Sequence, residues 1–204
     1  ASGVGQLTLI DDDAVDLTNL QRQIAHTTAR IGQPKVESAA TAMLALNPDL
    51  RIDTLKLRAD AALLNLVVPT AQVVLDCCDN FQTRQAVNAA CVAHHVPLVS
   101  GAVIRMDGQL AVYDSRDPAS PCYACLFPPD EAPEEVRCAT LGVLAPLVGV
   151  IGTLQATEAV KLLAGIGSAL PGRLQMLDGR RLEWSEMRFA RQPACPVCGS
   201  GHAP

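Results

Sequence analysis

The acidic and basic residues between positions 11 and 35 carry the chemistry that the sequence shows most clearly. Asp11 follows the apolar run Leu7–Ile10, a pattern typical of a strand that delivers a carboxylate to the edge of an α/β sheet. In dinucleotide-binding folds, an acid at that place binds a ribose hydroxyl. Arg22 and Lys35 follow closely, and a guanidinium plus an ammonium near a ribose-binding acid indicate a triphosphate. The region therefore predicts a nucleotide site, with ATP favoured over NAD.

A second acidic group follows another apolar run further along the chain. Val73–Asp76 reads as a buried strand, and Asp79 and Asn80 come soon after it. Ligands of open α/β sheets bind at the carboxyl ends of the strands. The Mg²⁺ that accompanies ATP prefers one or two carboxylates together with phosphate oxygens. Asp79 is therefore the predicted magnesium ligand, whereas Asp76 can instead serve as a structural cap.

Four of the eight cysteines form two C-x-x-C pairs. Each pair offers two thiolates from one tight turn, and four thiolates around one ion form the closed tetrahedral site of structural zinc. Redox pairs or free thiols remain alternatives. We predict a structural zinc site that fastens the carboxyl-terminal tail to an irregular loop, with the ligands Cys122, Cys125, Cys195 and Cys198.

The elements that must position these residues alternate between strand and helix patterns. The alternation predicts an α/β fold with a doubly wound, mostly parallel, Rossmann-like sheet and an antiparallel extension. Predicted helices cover Pro34–Leu46, Ala59–Leu66 and Phe81–His94, the last capped by Asn80, and a long one within Leu141–Gly165. Predicted strands cover Leu7–Ile10, Arg51–Leu57, Val73–Asp76, Leu98–Ser100, Gly108–Tyr113, Arg173–Leu177 and Arg181–Met187.

Composition and length limit the classes of function. The 204 residues suit one domain, 1–204, and 49% hydrophobic residues supply an aliphatic core. A net charge of −5 argues against a nucleic-acid partner and against docking on an anionic membrane. Glu158 and Lys161 interrupt the long apolar run, which favours a buried helix over a membrane span. Cys77, Cys78 and Cys91 are predicted core residues, and the cysteine usage favours a reducing, cytoplasmic location.

The beginning of the chain suggests that one element is missing. In dinucleotide-type folds the ribose-binding acid lies one βα unit after a Gly-rich phosphate loop. Gly3 and Gly5 precede the Asp11 strand, but a third glycine at the required spacing is lacking. We therefore expect that the amino-terminal βα unit, about 30 residues or more, is missing from this sequence.

Taken together, these motifs resemble those of the ThiF/MoeB (HesA/MoeB/ThiF) adenylyltransferases, bacterial relatives of the ubiquitin-activating E1 enzymes. The resemblance follows the chain in order and covers nearly all of it. The motifs that carry it are Leu-Ile-Asp11-Asp-Asp, Thr18-Asn-Leu-Gln-Arg22-Gln, Gln33-Pro-Lys35, Leu75-Asp-Cys-Cys-Asp79-Asn80, the two C-x-x-C pairs and Gly149-Val-Ile-Gly-Thr-Leu-Gln155-Ala-x-Glu158-Ala.

The resemblance implies that ATP adenylates the carboxyl-terminal glycine of a ubiquitin-like sulfur carrier of the ThiS or MoaD type, with release of pyrophosphate. It implies that Asp11 binds the ribose, that Asp79 organises Mg²⁺ and that the two C-x-x-C pairs bind Zn²⁺. It also implies a homodimer, for which the long apolar helix is a candidate contact; burial within one subunit is the alternative. The implied phosphate ligands are Asn19, Arg22 and Lys35, and the candidate nucleotide contacts further include Asp13, Gln23 and Asn80.

Cys138 lies near the start of the long helix, next to Arg137. An adjacent guanidinium and a helix amino terminus favour the thiolate form. In related enzymes a cysteine at this position bonds to the carrier or accepts sulfur, so Cys138 is a candidate catalytic thiol. A bystander thiol in a loop is the alternative.

Two other functions remain open at the level of the sequence. A nicotinamide-dependent oxidoreductase shares the ribose-binding acid, but it explains neither Lys35 nor Asp79. A truncated, non-catalytic scaffold would keep the zinc site and the carrier surface without binding the triphosphate. The Gly-rich loop and a partner-subunit arginine, which the family places upstream, are absent from these 204 residues.

Overall fold

The chain divides into two units, Ala1–Ala59 and Asp60–Pro204. The computed structural model describes residues 2–130 and 142–199. In the first unit, strand β1 (Gln6–Ile10) pairs in parallel with strand β2 (Arg51–Leu55) along all five residues of each. Helix α1 (Lys35–Leu46) lies between them in the sequence, as a parallel crossover requires. These elements confirm the predicted strand–helix–strand order.

The segment between β1 and α1 is a loop without an α-helix. Two 3₁₀ turns, Leu17–Asn19 and Thr28–Arg30, interrupt it. Val15 is 2% exposed, and its amide and carbonyl groups bond to the chain just before α1, at Gln33 O (2.8 Å) and Gly32 N (2.9 Å). The loop after β1 is therefore attached to the start of α1.

The second unit contains a five-stranded sheet in the order β3-β4-β5-β6-β7. The β3–β4 pair is parallel, and the other three pairs are antiparallel. Its strands are β3 (Val74–Asp76), β4 (Leu98–Ile104), β5 (Asp107–Tyr113), β6 (Arg173–Asp178) and β7 (Glu183–Arg188). Its helices are α2 (Ala61–Val67), α3 (Phe81–Ala93), α4 (Tyr123–Leu126) and α5 (Ala145–Leu163).

The prediction of a mostly parallel sheet is corrected, because the described strands form a mixed arrangement. Ile104 pairs with Asp107 across a two-residue turn, and such a short connection permits only antiparallel pairing. Arg105 in this turn has a φ of 55°, which matches the left-handed backbone of tight hairpins. Asp178 and Glu183 pair across the second hairpin. The sequence shows where these strands lie but carries no strong hairpin signal.

Helix termini follow the predicted capping chemistry. The Asn80 side chain accepts the Thr83 amide at 2.9 Å, which confirms it as the cap of α3. Asp60 caps α2 in the same way through the Leu63 amide, also at 2.9 Å. Cys91 is buried as predicted, but the prediction of core positions is wrong for Cys77, which is exposed, and for Cys78, which is only half-buried; both follow the end of β3.

Helix α5 packs across β4 and β5. Its apolar side chains complete a core around Val99 and Val112, both fully buried. Ile151 and Gln155, four residues apart on α5, lie over glycines of the sheet. Larger residues at these sheet positions would collide with the helix. A Cβ at Gly101 would lie 2.4 Å from Gln155 Cδ, and one at Gly108 would lie 2.9 Å from Ile151 Cδ1.

Helix α5 contains the apolar run that the sequence analysis assigned to a buried helix. Gln155 and Glu158 are buried polar residues within it. Among residues 2–130 and 142–199, we find no helix whose length and apolarity would let it cross a bilayer.

The contact between Gly101 and α5 leads to a stability prediction. We expect Gly101→Ala to lower the free energy of unfolding by about 1–3 kcal/mol, because its methyl group must displace the hydrogen-bonded Gln155 side chain. Urea denaturation measures this change. The matched control is Gly149→Ala within α5, where an added Cβ meets nothing within 4 Å. Helix propensity alone should leave that variant as stable as the parent or more so. Equal stability of the Gly101→Ala and parent proteins would contradict the packing described.

Candidate functional site

Asp11 extends the hydrogen-bonded register of β1 and directs a carboxylate past its end. The Asp11 amide donates to Leu55 O at 3.2 Å, and Asp11 Oδ1 accepts the Asp13 amide at 2.8 Å. Partial burial raises the pKa of the Asp11 carboxyl, and the Asp13 amide and the Lys35 charge oppose only part of that effect. A half-buried carboxylate with limited access to water is a suitable acceptor for the hydroxyl groups of a sugar.

Lys35 is the first residue of α1, and its ammonium group is oriented by the loop after β1. Lys35 Nζ lies 2.6 Å from Asp13 Oδ2, and the Lys35 amide donates to Asp13 O at 2.9 Å. The Lys35 side chain is 11% exposed, but that of Asp13 is 66% exposed. A pair with such an exposed partner contributes at most about 1 kcal/mol. A ligand with several negative charges can therefore compete with Asp13 for Lys35.

Arg22 and Gln23 follow the first 3₁₀ turn, which Asp16 caps by accepting the Thr18 amide at 2.7 Å. The only hydrogen bond of the Arg22 guanidinium within the described ranges is a long one, 3.5 Å, to Thr18 O. No carboxylate of those ranges lies within ion-pair distance of it. Arg22 therefore presents a positive charge that an anion can bind.

Two further predicted contacts lie on the same turn. The Asn19 carbonyl accepts the amides of Arg22 (3.1 Å) and Gln23 (2.9 Å). Gln23 Oε1 is buried and has no hydrogen-bond partner among the residues that the structure describes. Because an unpaired buried acceptor is unfavourable, Gln23 Oε1 is suited to accept a donor from a ligand.

Sequence reasoning missed the residues that hold this segment on α1. Arg30 Nη1 donates to Ser38 O and, at 3.2 Å, to Ala25 O. His26 Nδ1 lies 2.9 Å from Ser38 Oγ, and Ser38 is fully buried. Burial together with the Lys35 and Arg30 charges lowers the pKa of His26. A single arginine and a helix serine carry no local signal of this pairing.

In the second unit, Asp79 is exposed in a short loop between β3 and α3. Asn80 uses its side-chain oxygen to cap α3. Asp76, at the end of β3, is 2% exposed and forms an ion pair with Arg84 Nη1 at 2.7 Å. Arg84 was not identified from the sequence, although an arginine in the first turn of a helix after an acidic strand end was an available signal.

The four predicted zinc ligands come together. Their Sγ atoms all lie within 4.8 Å of one another, with Cys125–Cys198 at 3.4 Å, Cys122–Cys195 at 3.7 Å and Cys122–Cys125 at 4.0 Å. A disulfide requires about 2.05 Å, so these thiols are not bonded to one another. A tetrahedron with Zn–S distances of about 2.3 Å has sulfur–sulfur edges of about 3.8 Å. The cluster therefore has the dimensions of a tetrathiolate metal site.

Hydrogen-bond donors surround the sulfur atoms. Asn88 Nδ2 lies 3.6 Å from Cys122 Sγ, and the Gln192 amide donates to Cys125 Sγ at 3.4 Å. Burial raises the pKa of Cys198 to about 11 and also raises that of Cys122, whereas the pKa of Cys195 is lowered because the effect of its burial is outweighed by hydrogen bonds from the Cys198 and Val197 amides. Thiols of high pKa in close contact need a cation to ionise together, whereas N–H donors stabilise the thiolates once formed.

The predicted residues are thus placed as follows. Cys138 lies outside the described residues. Asp11, Asp13, Asn19, Arg22, Gln23 and Lys35 belong to the first unit, and Asp79, Asn80, Cys122, Cys125, Cys195 and Cys198 belong to the second.

Comparison with known proteins identifies a family that this chain matches. A model of the ThiF family matches residues 1–197. The molybdopterin-synthase adenylyltransferase of Escherichia coli (strain K12) is 47% identical over 202 residues, 98% of this chain and 79% of that protein. The sulfur carrier protein ThiS adenylyltransferase of the same strain is 45% identical over 202 residues, covering 99% and 79%.

A solved structure supports the fold independently. E. coli MccB, determined with ATP, superposes with a TM-score of 0.82 at 22% identity, over 97% of this chain and 60% of that chain. At this identity the likeness establishes the shared fold. Together with the matched family model and the relatives above, it leads to one conclusion: the chain belongs to the ThiF family.

Proposed function

We propose that this chain catalyses ATP-dependent adenylation of the carboxyl-terminal glycine of a ubiquitin-like sulfur carrier protein, with release of pyrophosphate. The observation that carries the proposal is the identity of 47% and 45%, over almost the whole chain, to adenylyltransferases of molybdopterin synthase and of ThiS. The ionic character of the candidate residues agrees with this activity. A nicotinamide oxidoreductase would leave Lys35 and Asp79 without a task.

The residues of the first unit supply binding and charge. We assign the ribose hydroxyls to Asp11 and the phosphates to Asn19, Arg22 and Lys35. Arg22 has no carboxylate partner within the described residues, and Lys35 has only an exposed one, so both cations can be transferred to a polyanion. On phosphate binding, Asp13 would lose Lys35 as its partner and turn to solvent. Gln23 Oε1, buried without a donor, would accept one from the nucleotide.

The reaction brings two anions together, because the carrier carboxylate must attack the α-phosphate in line. The catalytic task is therefore to orient the reactants and to stabilise developing negative charge, to which cationic side chains contribute. A protein nucleophile is not required for this step. Mg²⁺, when bound, would neutralise phosphate oxygens, and Asp79 with its exposed carboxylate is the residue that we assign to it. Asn80, whose oxygen caps α3, offers its amide group beside Asp79.

We further propose that the four-cysteine cluster binds one structural Zn²⁺. The sulfur–sulfur distances fit a tetrahedron around such an ion, and all four positions are filled by cysteine, which leaves no open position for catalysis. The bound ion would fasten residues 195–198 to the Cys122 loop. The carrier partner and a homodimer complete the proposal, with the exposed side chains Val150 and Leu163 on α5 as candidate contacts between subunits. The reactivity of Cys138 stays a prediction.

The proposed phosphate ligands lead to a kinetic prediction. In the full-length protein with its carrier, Arg22→Ala and Lys35→Ala should each slow ATP–pyrophosphate exchange about 10²-fold or more. Their melting temperatures should change little, since neither charge pairs with a buried partner. The control is Lys56→Ala, which removes an exposed lysine of the same unit. Its rate of ATP–pyrophosphate exchange should equal that of the parent. Full exchange activity in either the Arg22 or the Lys35 variant would refute the assignment.

The cysteine cluster leads to a metal prediction. The purified protein should contain about one Zn²⁺ per chain, and Cys195→Ser should lose most of it, because one of four ligands is removed. Elemental analysis and thermal melting measure the two effects. Cys91→Ser is the control, a buried cysteine outside the cluster, and should keep its metal. Equal zinc content in the parent and the Cys195→Ser protein would rule out the proposed site.

The carrier itself can be identified by binding. The Asp11–Asp13 run and the Cys-Pro-Val-Cys tail look similar to thiamine-type enzymes, whereas the run 100–109 looks similar to molybdopterin-type enzymes. We expect one of the two carriers to be retained by the immobilised full-length protein and to support pyrophosphate exchange. Retention of neither carrier would contradict the proposed partner.

A further inference from the structure

Asp76 is a buried carboxylate on which several elements converge. Its Oδ2 accepts hydrogen bonds from Arg84 Nη1 at 2.7 Å and Ser100 Oγ at 2.9 Å. Its Oδ1 accepts the Cys78 amide at 2.9 Å, and its main-chain carbonyl accepts Gln155 Nε2 at 2.8 Å. Groups from α3, β4, α5 and the loop therefore fix one residue. A buried carboxylate is stable only when it is satisfied in this manner.

Arg84 connects this carboxylate to the main chain of the loop. Besides Asp76, its Nη1 contacts Ser100 Oγ at 3.0 Å, and its Nη2 donates to Gly101 O at 3.1 Å and to Cys78 O. The Arg84 side chain is only 12% exposed. Its planar fork is thus divided between one charge and two carbonyl groups, a geometry that lysine cannot reproduce. With these contacts made, the guanidinium is not available to a triphosphate.

The loop between Asp76 and Asn80 is consequently fixed at both ends and in the middle. Asp76 anchors the beginning and the Asn80 cap anchors the end. At Cys78 the amide is bound by Asp76 and the carbonyl by Arg84. Asp79, one residue later, keeps its side chain exposed. The network therefore fixes the main chain on both sides of Asp79, and the Asp79 carboxylate takes no part in it.

We infer that Arg84 is a positioning residue for the proposed reaction: through Asp76 and the Cys78 carbonyl, it holds Asp79 in the orientation that binds the magnesium of Mg–ATP. The inference rests on the proposed function. Stability alone does not require a buried ion pair at this place, because uncharged side chains of similar size are often equally stable there. The contacts from Arg84 to two carbonyl groups act instead on the shape of the loop.

A double variant separates the two roles. In Arg84→Met/Asp76→Asn the buried charges disappear together, so the melting temperature should recover most of what Arg84→Met alone loses. The carbonyls of Cys78 and Gly101 still lack their donor. We therefore expect the Mg²⁺ concentration for half-maximal ATP–pyrophosphate exchange to rise about tenfold or more, as for other residues that orient metal ligands. Leu174→Ala, a core truncation in β6, controls for lost stability and should leave the Mg²⁺ requirement unchanged.

Hydrogen exchange gives a readout independent of activity. In the double variant, the amide of Cys78, which donates to Asp76 Oδ1 in the parent, should exchange about tenfold or more faster, while amides of β5 remain protected. If the double variant recovers stability, parental exchange rates in the loop and the parental Mg²⁺ requirement, Arg84 only neutralises Asp76 and the inference is wrong. If instead the parent protein shows no pyrophosphate exchange with either carrier, the proposed function fails and the magnesium role fails with it. The hydrogen-exchange rate of the Cys78 amide then still shows whether Arg84 orders the loop after β3.

Discussion

The second unit is organised around the burial of one negative charge at the edge of its sheet. A carboxylate that is 2% exposed must obtain from the protein every hydrogen bond that water would have supplied. For the Asp76 carboxylate the donors come from α3, β4 and the loop after β3, so these elements cannot shift independently without leaving a charge unsatisfied. The glycines of β4 and β5 help to hold Asp76 through its main chain, since their missing side chains allow α5 to lie close enough for Gln155 to reach the Asp76 carbonyl. Burial of a charge thus fixes geometry where the chain needs it.

Helix α3 contacts both the loop at the edge of the sheet and the cysteine cluster. Its first turns hold the Asp79 loop through Asn80 and Arg84. Directly after Arg84, Gln85 Nε2 donates to Phe127 O at 2.6 Å. One turn further on, the Asn88 side chain accepts the Tyr123 amide at 2.9 Å, and its amide group faces Cys122 Sγ. The same helix therefore contacts both the candidate magnesium loop and the candidate zinc loop. The first unit differs, because among the described residues Arg22 has no carboxylate partner and Lys35 pairs only with the exposed Asp13, so both cations remain available to a ligand.

The sequence predicted those features that depend on local chemistry. Pro34 and Asn47 limit α1, and Asn80 begins α3, because caps and helix breakers act within one turn. The meeting of the two C-x-x-C pairs was also predictable, since few arrangements other than a metal site use four thiols in this pattern. Other side-chain pairs were not predictable, because Arg30 with Ser38 and Asn88 with Cys122 depend on how separate elements pack together. The antiparallel extension that begins near Gly108 was also predicted, but the tight turn between β4 and β5 was not, as it lacks the usual glycine or asparagine.

The central claim is that the buried network around Asp76 orients Asp79 towards the magnesium of a bound nucleotide. A crystal structure of the full-length protein with Mg²⁺ and a non-hydrolysable ATP analogue tests it most directly. The account predicts that the Asp79 carboxylate contacts the Mg²⁺ or its water, with Arg84 still bound to Asp76 and to the Cys78 carbonyl. A structure in which Mg²⁺ lies away from Asp79, or in which Arg84 has left Asp76 to bind a phosphate, would contradict it.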